Sequence, residues 1–187
     1  MQHIKLIVPT REYEKEIWDF RQEVLEQDAG KSNQFAGCGT LKECHSMQEW
    51  LDSIAIMSSP ETCPARRVPS HMYIAVRLAD QKVVGITDLR HHIQHPVLGV
   101  WGGHIGYSVR PSERRKGYAK EMLRQNLENA RRMGIKRVLI TCVEENVASE
   151  KTIVANGGVF DHLVESTDGR IFKRFWIRLA SPKSEEP

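Results

Sequence analysis

The apolar positions change rhythm along the chain, and the rhythm predicts the elements. Residues 3–8 alternate as a half-buried strand does, whereas residues 11–26 place Tyr13, Ile17, Trp18, Phe20, Val24 and Leu25 at largely helical spacing behind Thr10 as a candidate N-cap. Residues 47–57 repeat the helical period, with Trp50, Leu51, Ile54 and Met57 on one side. Residues 71–78 and 82–89 return to strand-like runs joined by Ala79-Asp80-Gln81, which predicts a hairpin. A strand is expected over 100–109, a helix over 118–133 stopped by Gly134, and a nearly continuous apolar strand over 136–143. A short helical pattern over 146–156 and a second hairpin over 159–166 and 171–179, around Asp168-Gly169, complete the series. The glycine-rich, polar stretch 28–45 is expected to be an irregular loop over the substrate end of the molecule.

The first chemistry lies in Val109-Arg110-Pro111-Ser112-Glu113-Arg114-Arg115-Lys116-Gly117-Tyr118-Ala119, where a strand passes through a basic turn into a helix. A helix start leaves four N–H groups without intrahelical partners and carries partial positive charge, so it attracts anions. Gly117 lets the main chain approach a phosphate closely, and Arg114, Arg115 and Lys116 surround it with positive charge. The turn lacks the second glycine and the terminal Lys-Ser/Thr of a P-loop, and it lacks the three glycines of a dinucleotide fingerprint. Taken alone it reads as an ordinary solvated helix start. The buried strand that follows the helix changes that reading, because a strand, helix, strand order implies a parallel pair.

In sequence, the strand, Arg114-x-x-Gly117-x-Ala119, the long helix, the buried strand, Asn146-x-x-Ser149, the short helix and Gly157-Gly158-Val159-Phe160 resemble the GNAT superfamily of acyl-CoA-dependent N-acetyltransferases. The resemblance is specific over 103–160 and compatible in pattern elsewhere. It implies an α/β (α+β) fold: a mixed, mostly antiparallel sheet of about seven strands, with one splayed parallel pair and about four flanking helices. Acetyl-CoA would occupy the wedge between the splayed strands as co-substrate. The resemblance sets its pyrophosphate on the amides of Arg115, Lys116, Gly117, Tyr118 and Ala119, with Arg114 opening the motif. It sets the pantetheine arm along the strand edge at Tyr107 and Val109, with Asn146 and Ser149 helping to fix that arm. A plain N-cap role for Asn146 is an equal alternative.

The implied reaction moves an acetyl group from a thioester to a primary amine of a small molecule or an exposed protein amine. It needs a base for the ammonium, a donor for the oxyanion and some help for a thiolate leaving group. Many family members carry a tyrosine seven residues after the motif asparagine, but here that position is Ile153. Either Tyr107, Ser149 or water protonates the thiolate or the protein manages without a dedicated acid, and Glu144 and His104 are the first candidates for the base. A catalytically silent acyl-CoA sensor or binding subunit is the alternative that Ile153 leaves open.

Composition narrows the partners. With 187 residues, 40% of them hydrophobic, the chain can bury one core, and a single domain over 1–180 with a disordered tail at 181–187 is expected. The net charge is only +3 and the cations gather near residues 110–137 without interleaved aromatics, which suits a polyanionic cofactor and not a nucleic acid. Four cysteines without a CxxC pair, no apolar stretch of spanning length and no signal-like start predict a cytoplasmic protein with no membrane association. His91, His92 and His95 lack the spacing of a metal set and suggest a substrate-recognition loop instead, so no metal is expected. A homodimer is a reasonable expectation for such a fold.

Overall fold

The computed structural model describes residues 3–31 and 34–179; the expected tail at 181–187 and the ends of the domain proposed over 1–180 lie outside them. The strands are β1 (Ile4–Ile7), β2 (Ser70–Arg77), β3 (Val83–Arg90), β4 (Ile105–Val109), β5 (Arg137–Val143), β6 (Val159–Glu165) and β7 (Ile171–Arg178). The α-helices are α1 (Glu14–Gln27), α2 (Met47–Ser58), α3 (Tyr118–Arg132) and α4 (Val147–Val154). The α/β architecture and the two hairpins follow the apolar rhythm of the sequence.

The strands form two hydrogen-bonded groups, an antiparallel β1-β2-β3-β4 and an antiparallel β5-β7-β6. The groups meet where β4 and β5 begin. There the His104 amide donates to the Leu139 carbonyl at 2.8 Å, and the Leu139 amide returns a bond to His104 Nδ1 at 2.9 Å. Beyond that point the strands separate, and Val109 and Val143 at their far ends both line a cleft.

Three apolar clusters hold the layers together. Ile17, Phe20 and Val24 of α1 pack with Met47 and Trp50 of α2 against Met72, Ile74, Val76, Val83 and Ile86 of β2 and β3. On the other side α3 spans both groups of strands. Tyr118 and Met122 pack on Ile4, Ala75 and Val84, while Leu123, Leu127 and Ala130 pack with Val138, Ile140, Phe175 and Ile177. This shared helix lets the two groups stay joined although their central strands part. Burial of side chains this size stabilises by about 1.5–3 kcal/mol each.

Two expectations are corrected. Thr10 is extended and makes no side-chain cap; a short 3-10 turn, Arg11–Tyr13, leads into α1 instead. The strand expected over 100–109 begins only at Ile105, because Leu98–Gly102 forms a π-helical turn. Its carbonyls are captured from elsewhere in the fold. Arg174 donates to Gly99 O at 2.7 Å and to Val100 O, Thr141 Oγ1 to Trp101 O at 2.6 Å, and Arg90 to Gly102 O at 3.3 Å and, just past the turn, to Gly103 O at 3.0 Å.

Glu113, 4% exposed, anchors the turn before α3 by binding Arg77, Lys82 and Lys116 at 2.8, 2.9 and 2.7 Å. Burial opposes its charge, yet the bonds from Lys116, Lys82 and Arg77 prevail and hold its pKa down at about 2. A folded-state pKa depressed in this way contributes stability above the unfolded value near 4.5, and that contribution is lost as pH falls toward 2. The loss should amount to roughly 2–3 kcal/mol. Denaturant titrations between pH 6 and pH 2 should show this acid limb in the wild type and a flatter one in Glu113→Gln.

Candidate active site

The cleft between β4 and β5 has a volume of about 1050 Å³. One end is built by the turn and first residues of α3. Arg115 has φ 63° and Gly117 φ 86°, and this double reversal aims the chain into a helix that starts at Tyr118. Among the described residues, the amides of Arg115, Lys116, Gly117 and Ala119 donate to no protein acceptor. A Cβ on Gly117 would meet nothing within 4 Å, so the backbone faces open cleft. The free donors of Arg115, Gly117 and Ala119, which line the cleft, an open approach and the α3 dipole fit an anion the size of a diphosphate.

The cations around this cradle are not equally available. Arg114 grips both oxygens of Asp28 at the end of α1, at 2.9 Å on Oδ1, and donates through Nε to Val109 O at 3.2 Å. That guanidinium, opposed by burial and supported by Lys31, holds the Asp28 carboxyl below its usual range. Lys116 is engaged by Glu113. Arg115 and Lys120 form no ion pair among the described residues and are the cations left for a ligand. Arg114 therefore shapes the cradle as much as it charges it.

The β4 wall follows from register. Arg110 N donates to Val84 O at 2.9 Å and Arg90 N to His104 O at 2.8 Å, so the even-numbered residues of β4 turn their peptide groups toward β3. The N–H groups of Tyr107 and Val109 consequently point the other way, into the cleft. The 34–45 loop packs against this strand. Ser108 Oγ donates to Ala36 O at 2.8 Å, and a Cβ on Gly37 would lie 2.2 Å from Gly106 O, so only glycine permits the approach.

Across the cleft, Asn146 Oδ1 accepts from Ser149 N at 3.0 Å, which makes it the N-cap of α4. Ser149 Oγ lies 2.8 Å from Tyr107 Oη, so a hydroxyl pair bridges the two walls. Burial raises the Tyr107 hydroxyl well above its ordinary value, against the opposing pull of Ser149. Burial likewise pushes the Cys142 thiol up to about 11. Ile153, at the position where the family commonly has tyrosine, is fully buried in the core.

The two candidate bases fare differently from expectation. His104 is 5% exposed, its Nδ1 accepts the Leu139 amide, and burial lowers its pKa to about 4; it joins the strands instead of lining the cleft. Glu144 is exposed outside the lining, whereas Glu145 is part of it. His104→Leu should leave the Leu139 amide unsatisfied and cost about 1–3 kcal/mol of stability, read by denaturant unfolding.

Nor do the loop histidines line the cleft. His91 Nε2 pairs with His71 Nδ1 at 3.0 Å, His92 Nδ1 accepts from Gln94 N at 3.3 Å, and His95 Nδ1 accepts from Val97 N at 3.1 Å. No group of three His, Cys, Asp or Glu among the described residues could hold a metal. Nothing in the sequence pointed to Trp101, Thr141, Arg170 and Phe172 as lining residues. Asp28 was missed too, since it reaches Arg114 across 86 positions and nothing local signals that pair.

A cleft between parting strands, with unpartnered amides at a helix start and along the strand edge beside it, is suited to an extended, anionic ligand. The sequence model of the acetyltransferase (GNAT) domain matches residues 15–159, and the chain belongs to this acetyltransferase family. No curated protein sequence matches it. Among solved structures, it is similar to the ribosomal-protein-S5-alanine acetyltransferase of Vibrio fischeri (TM-score 0.68, 13% identity, 100% of this chain and 97% of that one). A Salmonella typhimurium acetyltransferase that modifies the N-terminal serine of ribosomal protein L7/L12 gives TM-score 0.66 at 15% identity, covering 96% and 97%. The microcin C7 self-immunity acetyltransferase MccE, in complex with acetyl-CoA and AMP, gives 0.63 at 14%, covering 96% and 94%. At these identities the likeness carries the fold alone. No helix among the described residues is long and apolar enough to cross a membrane.

Proposed function

We propose that the protein transfers the acetyl group of acetyl-CoA directly to a primary amine, and that the amine belongs to an exposed protein chain. The observation that supports this most is the union, in one cleft, of the unpartnered amides at Arg115, Gly117 and Ala119 with the inward amides of Tyr107 and Val109. The first set suits a diphosphate; of the second, the Val109 amide suits a pantetheine arm that pairs as an added strand, and the Tyr107 amide suits the thioester oxygen at the end of that arm. Two of the similar structures act on ribosomal proteins, which favours a protein amine over a small one.

The chemistry assigned to the chain's own residues is brief. The Tyr107 amide donates to the thioester oxygen as negative charge develops there. Ser149, held by the Tyr107 hydroxyl, relays a proton to the departing thiolate, taking in turn the proton that the attacking nitrogen loses as the tetrahedral intermediate collapses to the amide. A thiol of pKa about 8.5 needs only modest help, so a hydroxyl pair can replace the missing tyrosine. We assign the base to Glu145, acting on the ammonium through water.

The test is thiol release from acetyl-CoA with short peptides bearing free N-termini, set beside polyamines and amino acids. Turnover with peptides alone supports the reading. Turnover only with small amines overturns the acceptor assignment, and tight CoA binding without turnover on any amine shows a sensor instead.

A further inference from the structure

A buried polar network behind β4 reaches the peptide that would carry the oxyanion amide. Asn126, in the middle of α3, is fully buried. A residue of this kind is costly there unless each of its polar groups is bonded. Its Nδ2 donates to Thr87 Oγ1 and to Asp88 O, both at 3.0 Å. Its Oδ1 accepts from Asn129 at 3.4 Å. Thr87 Oγ1 in turn donates to Gly106 O at 2.7 Å, and Asp88 Oδ1 accepts from Gly106 N at 2.7 Å. Arg90 holds the other Asp88 oxygen at 3.0 Å.

Gly106 stands opposite Asp88 in the β3-β4 register, where main-chain bonds alone would ordinarily join the pair. Here side chains from β3 grip both polar groups of Gly106, while the Asp88 carbonyl receives Asn126. The consequence lies in the peptide geometry. The carbonyl of Gly106 and the amide of Tyr107 belong to one planar unit and point in opposite directions. A donor on the carbonyl side polarises the unit and strengthens the N–H on the cleft side, as chains of hydrogen bonds do in low dielectric.

We propose that Asn126 and Thr87 are positioning residues that orient and polarise the Gly106-Tyr107 peptide, so that the Tyr107 amide is a fixed and strengthened donor to the thioester oxygen. Because Asn126 lies on α3, the helix whose start forms the phosphate cradle also sets the amide at the reacting carbonyl. Diphosphate binding and carbonyl activation then share one rigid element. The inference rests on the acetyl-CoA reading above, and the measurements keep the two apart.

Thr87→Val removes the hydroxyl at nearly constant shape, while Thr87→Ser keeps it. Thr87→Val should lower kcat about three- to tenfold, the fraction of one oxyanion bond that polarisation can supply. KM for acetyl-CoA should stay unchanged, and Thr87→Ser should restore the rate. With acetyl-CoA labelled at the thioester carbonyl, infrared spectra should show that carbonyl stretch at higher frequency in Thr87→Val than in wild type. A folded Thr87→Val variant with unchanged kcat and unchanged stretch overturns the proposal, and so does a rate loss matched by a loss of acetyl-CoA affinity. The unmodified protein supplies a second measurement should the variant fail to fold. Acetyl-CoA, and not CoA, should move the Tyr107 amide proton downfield in an NMR titration. Binding of both ligands without that difference sinks this inference alone, whereas no binding of either sinks the acetyl-CoA reading first.

Discussion

Replacement of Gly117 by valine is expected to weaken CoA binding by more than about a hundredfold. The side chain would project from the cradle into open cleft, where nothing of the protein stands within 4 Å, and occupy the place of the anion. Losing two charge-assisted bonds at about 1.5–3 kcal/mol each accounts for a change of that size. The same substitution also acts on the fold. At φ 86° a β-branched residue is strained, so a stability loss of about 1–3 kcal/mol should accompany the loss of binding. Calorimetric titration with CoA, beside a denaturant curve for the same variant, separates the two effects. Gly117→Ala shares the backbone strain with less bulk and should retain more affinity. A folded Gly117→Val variant that binds CoA as the wild type does would show that the cradle lies elsewhere.

Ser149→Ala is expected to lower kcat by about a hundredfold, the low end for a general acid, because a thiolate already leaves readily. Acetyl-CoA affinity should hold. The α4 cap depends on the Ser149 backbone amide and not on its hydroxyl, so the helix survives the substitution. Tyr107→Phe should give a smaller loss, since Ser149 keeps its own proton and loses only the polarising partner at 2.8 Å. Single-turnover measurements with a peptide amine would read the chemical step directly. Full activity in both variants would mean that the thiolate takes its proton from water alone.

These expectations differ in how they could be reached. The cradle was legible in Arg114 to Ala119 because its parts are consecutive: a glycine, a helix start and the amides it leaves free are properties of a few adjacent residues. The two hairpins and α3 were legible for the same reason. The strand expected over 100–109 was not, since Arg90, Arg174 and Thr141 draw its first half into a π-helical turn. No local pattern records a carbonyl captured by a distant side chain. Ile153 announced that the usual tyrosine was missing, but only the fold brought Tyr107 and Ser149, 42 positions apart, within bonding distance.

The order of apolar and polar residues therefore determined most of the elements and their sequence, because period and turn chemistry act over a few residues at a time, and the motifs between Arg114 and Phe160 carried the family resemblance. Tertiary structure decided which charges remain available. It tied Arg114 to Asp28 and Glu113 to Arg77 and Lys82, turned His104 into a bridge between strands, and buried Asn126 behind the Gly106-Tyr107 peptide of β4. The physical reason is that hydrogen bonds and ion pairs depend on distances of about 3 Å. Only the packed chain sets those distances between residues far apart in sequence.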